Sequence, residues 1–250
     1  MRPRVSGRQS IGERKRQEDA FGSATVSRLF KKSTLLVLAD GMGGHAGGDV
    51  ASKLIVDTII KRMKSSKSDP RRALKNAVFS ANDGLAEAVS KKPELDGMGA
   101  TVVAVLISEA DVHWVSVGDS HLYHIRGTEL EKLNDDHSMA PVLAKMVEHG
   151  EMSAEDAAED PTRHALRSAV DGGELTLIDS QSRRNHLERG DLLLLASDGL
   201  DTLSIDELLT TISPSDHTNP DALTKKLLST VEAKNKPGQD NTTVLAFAMR

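Results

Sequence analysis

Several aspartates stand where an apolar run ends and the backbone is about to turn. The run Leu35–Ala39 leads into Asp40 and Gly41, and Leu192–Ala196 leads through Ser197 into Asp198 and Gly199. A strand anchored by such a run holds its last residue rigidly, so a carboxylate there can serve as a fixed ligand. The glycine after it lets the backbone bend and brings a carbonyl near whatever the carboxylate binds. Asp119 follows the run Val112–Val117, and Asp240 precedes Thr243–Ala248. Glu18 and Asp19 add two more acids, with Arg14 shortly before them.

Asp-Gly is also a common turn dipeptide, and the chain carries it at Asp83-Gly84, Asp96-Gly97 and Asp171-Gly172. What separates Asp40 and Asp198 from these is the apolar strand before each. Carboxylates gathered at one place repel and raise one another's pKa. A divalent cation removes that conflict. All-oxygen ligation without Cys or a His pair selects Mg²⁺ or Mn²⁺ over Zn²⁺. Two such ions about 3.5–4 Å apart can activate water and stabilise a phosphoryl group under attack. His121 and His124 are three apart on a predicted strand, point to opposite faces and make a poor metal pair.

The elements that must position these acids are legible as patterns. Strand-length apolar runs occur at Leu35–Ala39, Thr101–Ile107, Val112–Val117, Leu175–Ile178, Leu192–Ala196 and Thr243–Ala248. Helical period appears in Val50, Leu54, Ile55, Ile59 and Met63, and again from Leu74 to Ala88. Met139–Met146 and Ala222–Val231 are further helix candidates. The three strands between Thr101 and Arg126 suggest an antiparallel meander, and the polar, acidic stretch Glu151–Asp171 an irregular excursion. Strands clustered in sequence with paired helices between them favour a layered α/β fold with antiparallel sheets. One domain over 1–250 is the simplest organisation.

Bulk composition excludes other classes. The 250 residues carry no cysteine, so disulfide scaffolds, thiolate zinc sites and cysteine nucleophiles are out. A formal net charge of -5 disfavours nucleic-acid and anionic-membrane partners. No apolar run approaches the length of a membrane span, and Met1–Arg16 is basic without an apolar stretch, so a cytoplasmic protein is expected. The loop Gly41-Met42-Gly43-Gly44-His45-Ala46 formally fits a dinucleotide fingerprint. Asp40 would then face a pyrophosphate, and a helix rather than an acid-ended strand follows the first helix. That reading fails, and His45, with no paired His, is expected to pack the loop.

Six segments in order carry a resemblance: Arg14–Asp19, Ala39–His45, Gly97–Thr101, Val117–Ser120, Ser197–Leu200 and Gln239–Asn241. Together they resemble the protein phosphatase 2C family, the metal-dependent serine/threonine phosphatases, over nearly the whole chain. Met42, and Asp136-His137-Ser138, look like its bacterial branch. The resemblance implies a β-sandwich of two antiparallel sheets flanked by helices on both outer faces, with a variable flap at about 138–170. It implies hydrolysis of phosphoserine and phosphothreonine by a water or hydroxide bridging two Mn²⁺ or Mg²⁺ ions. Position by position, Asp40 would bridge the ions, Asp198 and Asp240 hold one, and Glu18 and the Gly41 carbonyl hold the other. Asp19 would act through water, Asp119 would serve a weaker third ion, and Arg14 would grip phosphate. Partners implied are phosphorylated proteins and a serine/threonine kinase or its targets. An alternative from another class is a catalytically weak, phosphatase-like regulatory or phosphoprotein-binding module, against which the retained Asp40, Asp198, Asp240 and Arg14 count.

This chain departs from the family pattern at three places. Gln17 stands where bacterial members usually have Asn, and His121 where Arg is usual. Thr202 replaces a usual Asp, with Asp201 one place early. Met42 occupies a position where some relatives carry a histidine assigned as general acid.

Overall fold

Apolar runs pair across the molecule into two antiparallel sheets. The computed structural model describes residues 4–28, 31–43, 47–213 and 215–249. In chain order the elements are β1 (Arg4–Ser10), β2 (Ala20–Arg28), β3 (Lys31–Ala39), β4 (Gly41–Met42), α1 (Gly48–Ser65), α2 (Pro70–Lys91), β5 (Gly99–Ala100), β6 (Val102–Ser108), β7 (Asp111–Val117), β8 (His121–Arg126), β9 (Glu129–Lys132), α3 (Ala140–Glu148), α4 (Ala154–Glu159), β10 (Asp179–Arg183), β11 (Leu192–Ala196), α5 (Ile205–Thr211), α6 (Pro220–Ala233) and β12 (Thr242–Ala248). One sheet has the order β1-β12-β11-β8-β9 and the other β10-β7-β6-β3-β2. A short β4–β5 pair stands apart from both. This is the layered sandwich expected from the sequence.

Continuous apolar strands follow from burial on both faces. In β3, Leu36 and Leu38 point into the space between the sheets, while Leu35, Val37 and Ala39 face α1 and α2. In β11, Leu193 and Leu195 point inward and Leu192 and Leu194 meet the α6 side. The α1 stripe packs on β2 and β3, and α6 covers β1 and β12. Helix α2 starts at Asp69, whose carboxylate accepts from the Arg71 and Arg72 N–H groups, with Pro70 in the first turn. No described helix is long and apolar enough to cross a membrane.

Four expectations need correction. The 101–126 region is not a three-stranded meander: β6 and β7 pair in one sheet, but β8 joins β11 and β9 in the other. Gly118, at φ +98 and with its Cβ position 2.6 Å from Thr101, turns the chain off the first sheet. The residues Leu175–Ile178 are not a strand; β10 begins only at Asp179, in the polar DSQSR. Leu175 and Ile178 pack against the helix-side core as irregular chain, and β10 is an edge strand that needs few apolar residues. Finally, Asp83-Gly84 lies inside α2, and the 151–171 excursion contains α4, capped by Ser153. Residues 138–170 leave the sandwich as α3 and α4; the Ser138–Leu166 bridge closes the excursion on itself and the Ala100–Val170 bridge ties its end to β5.

Candidate metal centre and substrate cleft

The ends of β3, β7, β11 and the start of β12 bring Asp40, Asp119, Asp198 and Asp240 to one end of the sandwich. A cleft of about 800 Å³ there is lined by Arg14, Glu18, Asp40, Gly41, Asp119, Asp198 and Asp240. Of the residues singled out from sequence, Asp19 alone does not line it. It lies buried behind, where its Oδ2 accepts from Ser197 Oγ at 2.9 Å and Thr243 Oγ1 at 2.6 Å. Since Asp19 precedes β2 and its partners belong to the other sheet, this acid stitches the two layers together beneath the cleft.

Backbone contacts fix the rest. Thr101 N–H donates to the Asp40 carbonyl at 2.9 Å, and Asp40 N–H donates to Thr101 Oγ1 at 3.2 Å. The Thr101 hydroxyl meets Ser120 Oγ at 2.7 Å, which ties Asp40 to the turn that carries Asp119. Gly41 is packed so tightly that a Cβ would lie 2.2 Å from the Gly48 carbonyl oxygen and 2.3 Å from that of Glu18. Only glycine permits that approach. Asn241 organises the facing loop: its Oδ1 accepts from Glu18 N–H at 2.7 Å, and its Nδ2 donates to the Ile11 and Arg16 carbonyls. Gln17 donates to Ser10 O and accepts from Asp19 N–H, so the replacement of Asn there keeps a bonded amide.

The electrostatics are those of uncompensated acids. Asp40 is held well above the usual aspartate range by burial and then by the charges of Asp19, Asp198, Asp119 and Asp240. Burial pushes Asp19 up to about 6, against the hydroxyl bonds of Thr243 and Ser197 that pull it down. Asp119 rises to about 7 through burial and then Asp198 and Asp136. Asp198 is raised by burial and then Asp240 and Asp201. Two buried oxygens, Asp19 Oδ1 and Asp198 Oδ1, have no hydrogen-bond partner among the described residues. Arg14 Nη2 reaches Asp240 Oδ2 at 2.5 Å and is the cation at the mouth of this acidic group. Orphaned carboxylate oxygens in a tight, acid-only cluster fit hard divalent cations, which bring charge and take oxygen ligands.

At the positions of departure, Thr202 Oγ1 donates to Gln239 Oε1 at 2.6 Å, and Asp201 Oδ1 meets His121 Nε2 at 2.8 Å. His121 therefore has a defined role, that of holding Asp201. Met42 lines the cleft. Gly44, His45 and Ala46 lie outside the described residues, and with them the packing role expected of His45. Sequence reasoning missed Asn241, Thr101, Ser197 and Thr243 as positioning groups. It also missed Arg167 and His164, which line the cleft from the 138–170 excursion. The signal for Asn241 was its place beside Asp240; Arg167, in a polar stretch without period, offered none.

Comparison with known proteins meets this geometry. A sequence model of protein phosphatase 2C matches residues 6–239. The serine/threonine protein phosphatase PstP of Mycobacterium tuberculosis is 34% identical over 184 residues, 72% of this chain but 34% of PstP. This alignment thus spans about a third of that relative's length. The serine/threonine phosphatase stp of Listeria monocytogenes is 30% identical over 216 residues, covering 84% of this chain and 82% of stp. A crystal structure of the PstP catalytic domain in complex with two manganese ions superposes with a TM-score of 0.77 at 29% identity, over 98% of this chain and 97% of that one. The sandwich, the acids at its end and the match over residues 6–239 agree: this chain belongs to the protein phosphatase 2C family.

Proposed function

We propose that the chain is a metal-dependent protein serine/threonine phosphatase acting on phosphoserine and phosphothreonine in proteins. The observation that carries this is the convergence of Asp40, Asp119, Asp198 and Asp240 with Glu18 in one cleft, where Arg14 pairs with Asp240. Asp40 is the acid on which the charges of Asp19, Asp198, Asp119 and Asp240 converge, which would suit a ligand shared by two ions. Asp198 and Asp240 would then hold one ion, and Glu18 with the Gly41 carbonyl the other. Asp19 stays behind them and acts through water. Two Mn²⁺ or Mg²⁺ ions held there supply Lewis acidity toward a phosphoryl oxygen and a nucleophile at neutral pH.

The chain's own groups do the remainder. Arg14 places its guanidinium at the cleft mouth to take a phosphate oxygen, a task for which the planar fork is suited. Asp119 would serve a third, weaker ion. Asp201 is engaged by His121 and Thr202 by Gln239, so that site has fewer free carboxylates than the family pattern offers. In hydrolysis the water oxygen bonds to phosphorus, the P–O bond to serine or threonine breaks, and the freed side-chain oxygen takes a proton. The opposing partner implied is a serine/threonine kinase or its targets.

Phosphate release from a phosphothreonine peptide tests this, with Mn²⁺, with Mg²⁺ and after exhaustive chelation. Activity that needs added ion and vanishes on chelation is expected; full turnover in chelator, or none with saturating Mn²⁺, would overturn it. Arg14→Ala is expected to raise KM about tenfold with a smaller change in kcat. A charge-assisted contact is worth about 1.5–3 kcal/mol, and we discount it because the side chain is 54% exposed. An unchanged KM returns Arg14 to a solvated turn residue.

A further inference from the structure

We propose that His124, Glu131 and His186 form a second metal site, for zinc, at the end of the sandwich away from the carboxylate cleft. One nitrogen from each imidazole and a carboxylate oxygen of Glu131 lie within 4.8 Å of one another. His124 and Glu131 are direct cross-strand partners on β8 and β9, so they share a face of the sheet. His186 comes from the loop before β11, and its ring centroid is 4.4 Å from that of His124. The pair dismissed from sequence, His121 with His124, is indeed on opposite faces; the partner of His124 was remote in the chain.

Three features make this more than a packed pair of rings. First, His186 Nε2 is buried without a hydrogen-bond partner among the described residues. A buried nitrogen left so is unfavourable unless something binds it. Second, His124 Nε2 lies 2.9 Å from Asp191 Oδ2. With its Nε2–H given to Asp191, the imidazole keeps its lone pair on Nδ1, the arrangement by which a carboxylate orients a ligating histidine. Third, His186 is held in place at the backbone: its N–H donates to Ala110 O at 3.0 Å, and its carbonyl accepts from Arg126 Nη2 at 2.8 Å. Burial, and then the neighbouring His124 and Arg183, lower the His186 pKa, which keeps the ring neutral for ligation.

Two imidazoles and one carboxylate suit zinc, and the open fourth position falls to water because Glu131 is exposed. Around the three groups, Glu131, Glu188 and Asp191 are paired with the guanidiniums of Arg126 and Arg183. The competitor is Arg183, whose Nη1 lies 2.7 Å from Glu131 Oε1. An ion must share Glu131 with it. Bound zinc would add a direct link from the loop before β11 to the β8–β9 edge, beside the bonds that Arg126 and His124 already make to it.

Calorimetric titration with Zn²⁺ tests the site in the wild type, Asp40→Asn, His186→Ala and Arg183→Gln. Asp40→Asn impairs the carboxylate cleft and is expected to keep one zinc-binding step. His186→Ala should weaken that step at least tenfold while Mn²⁺-dependent phosphatase activity stays unchanged. Arg183→Gln, which frees Glu131, should tighten it several-fold. A step of equal affinity in the double variant Asp40→Asn/His186→Ala and in Asp40→Asn, or no step in Asp40→Asn, overturns the proposal. Thermal melting of Asp40→Asn with and without Zn²⁺ gives an independent check, since zinc must raise its melting temperature.

Discussion

Asp40→Asn is expected to lower phosphatase turnover by about a thousandfold or more, yet to raise the melting temperature of the metal-free protein. Both effects come from one property of the site. Asp40 is the carboxylate whose charge is opposed by burial and by Asp19, Asp198, Asp119 and Asp240 together. With ions bound, that convergence is what holds them, and a neutral amide in its place gives up a charge at the centre. Without ions the same convergence is repulsion, and asparagine removes its largest contributor. The amide keeps the shape of the side chain, and the Asp40 backbone bonds to Thr101 do not depend on its charge. Relief on the order of 1–3 kcal/mol corresponds to several degrees for a chain of this size. Melting curves in chelator near pH 8, with kcat measured at saturating Mn²⁺, give both quantities. Near-normal kcat in a folded Asp40→Asn protein would falsify the assignment of Asp40. A lower melting temperature in chelator would show instead that Asp40 stabilises the metal-free fold.

How far the sequence alone reaches follows from what each residue does. Asp40 and Asp198 stand out because a residue that ends a doubly buried strand has its position set by local pattern, and local pattern is visible. Asp19 carries no such mark. Its function is to accept hydroxyl bonds from Ser197 and Thr243, 178 and 224 residues away, and no periodicity encodes that pairing. Asn241 is similar: its neighbour Asp240 draws attention, but its own task is to bind Ile11, Arg16 and Glu18 across the fold. Strands β1 and β2 escaped because edge strands bury little, whereas β11, apolar on both faces, was legible to the residue. The meander failed for a related reason. An alternation of period two says that a strand exists but not which sheet it joins, and Gly118 decides that. The His124–Glu131–His186 group needed both the cross-strand register and a distant loop to become visible.

In chelator, the protein should lose stability as pH rises from about 4 to about 7, and saturating Mn²⁺ should reverse that trend. Asp19 and Asp119 move from an ordinary 3.8 to about 6 and about 7 in the folded protein, and Asp40 and Asp198 are raised as well. Below about pH 4 these carboxyls are protonated both folded and unfolded, so the neutral site carries its full favourable contribution. Between 4 and 7 the unfolded chain has released the protons that the folded site still holds. The folded state then binds more protons, and stability falls with each step upward in pH. Once pH passes the folded values the loss is complete, on the order of 2–4 kcal/mol for Asp19 or Asp119 taken singly. His137 and His186 work the other way, because burial lowers both and favours the neutral fold as pH rises. Subtracting the curve of Asp119→Asn from that of wild type cancels these histidines and leaves the Asp119 share. Divalent ions invert the sign because they bind the ionised carboxylates, so protons compete with them and a higher pH strengthens binding. Urea denaturation between pH 4.5 and 8, in chelator and in saturating Mn²⁺, reads out both slopes. If the chelated wild type is no less stable at pH 8 than at pH 5, and does not differ in slope from Asp119→Asn, the acids of the cleft are not in conflict and their case for holding metal fails.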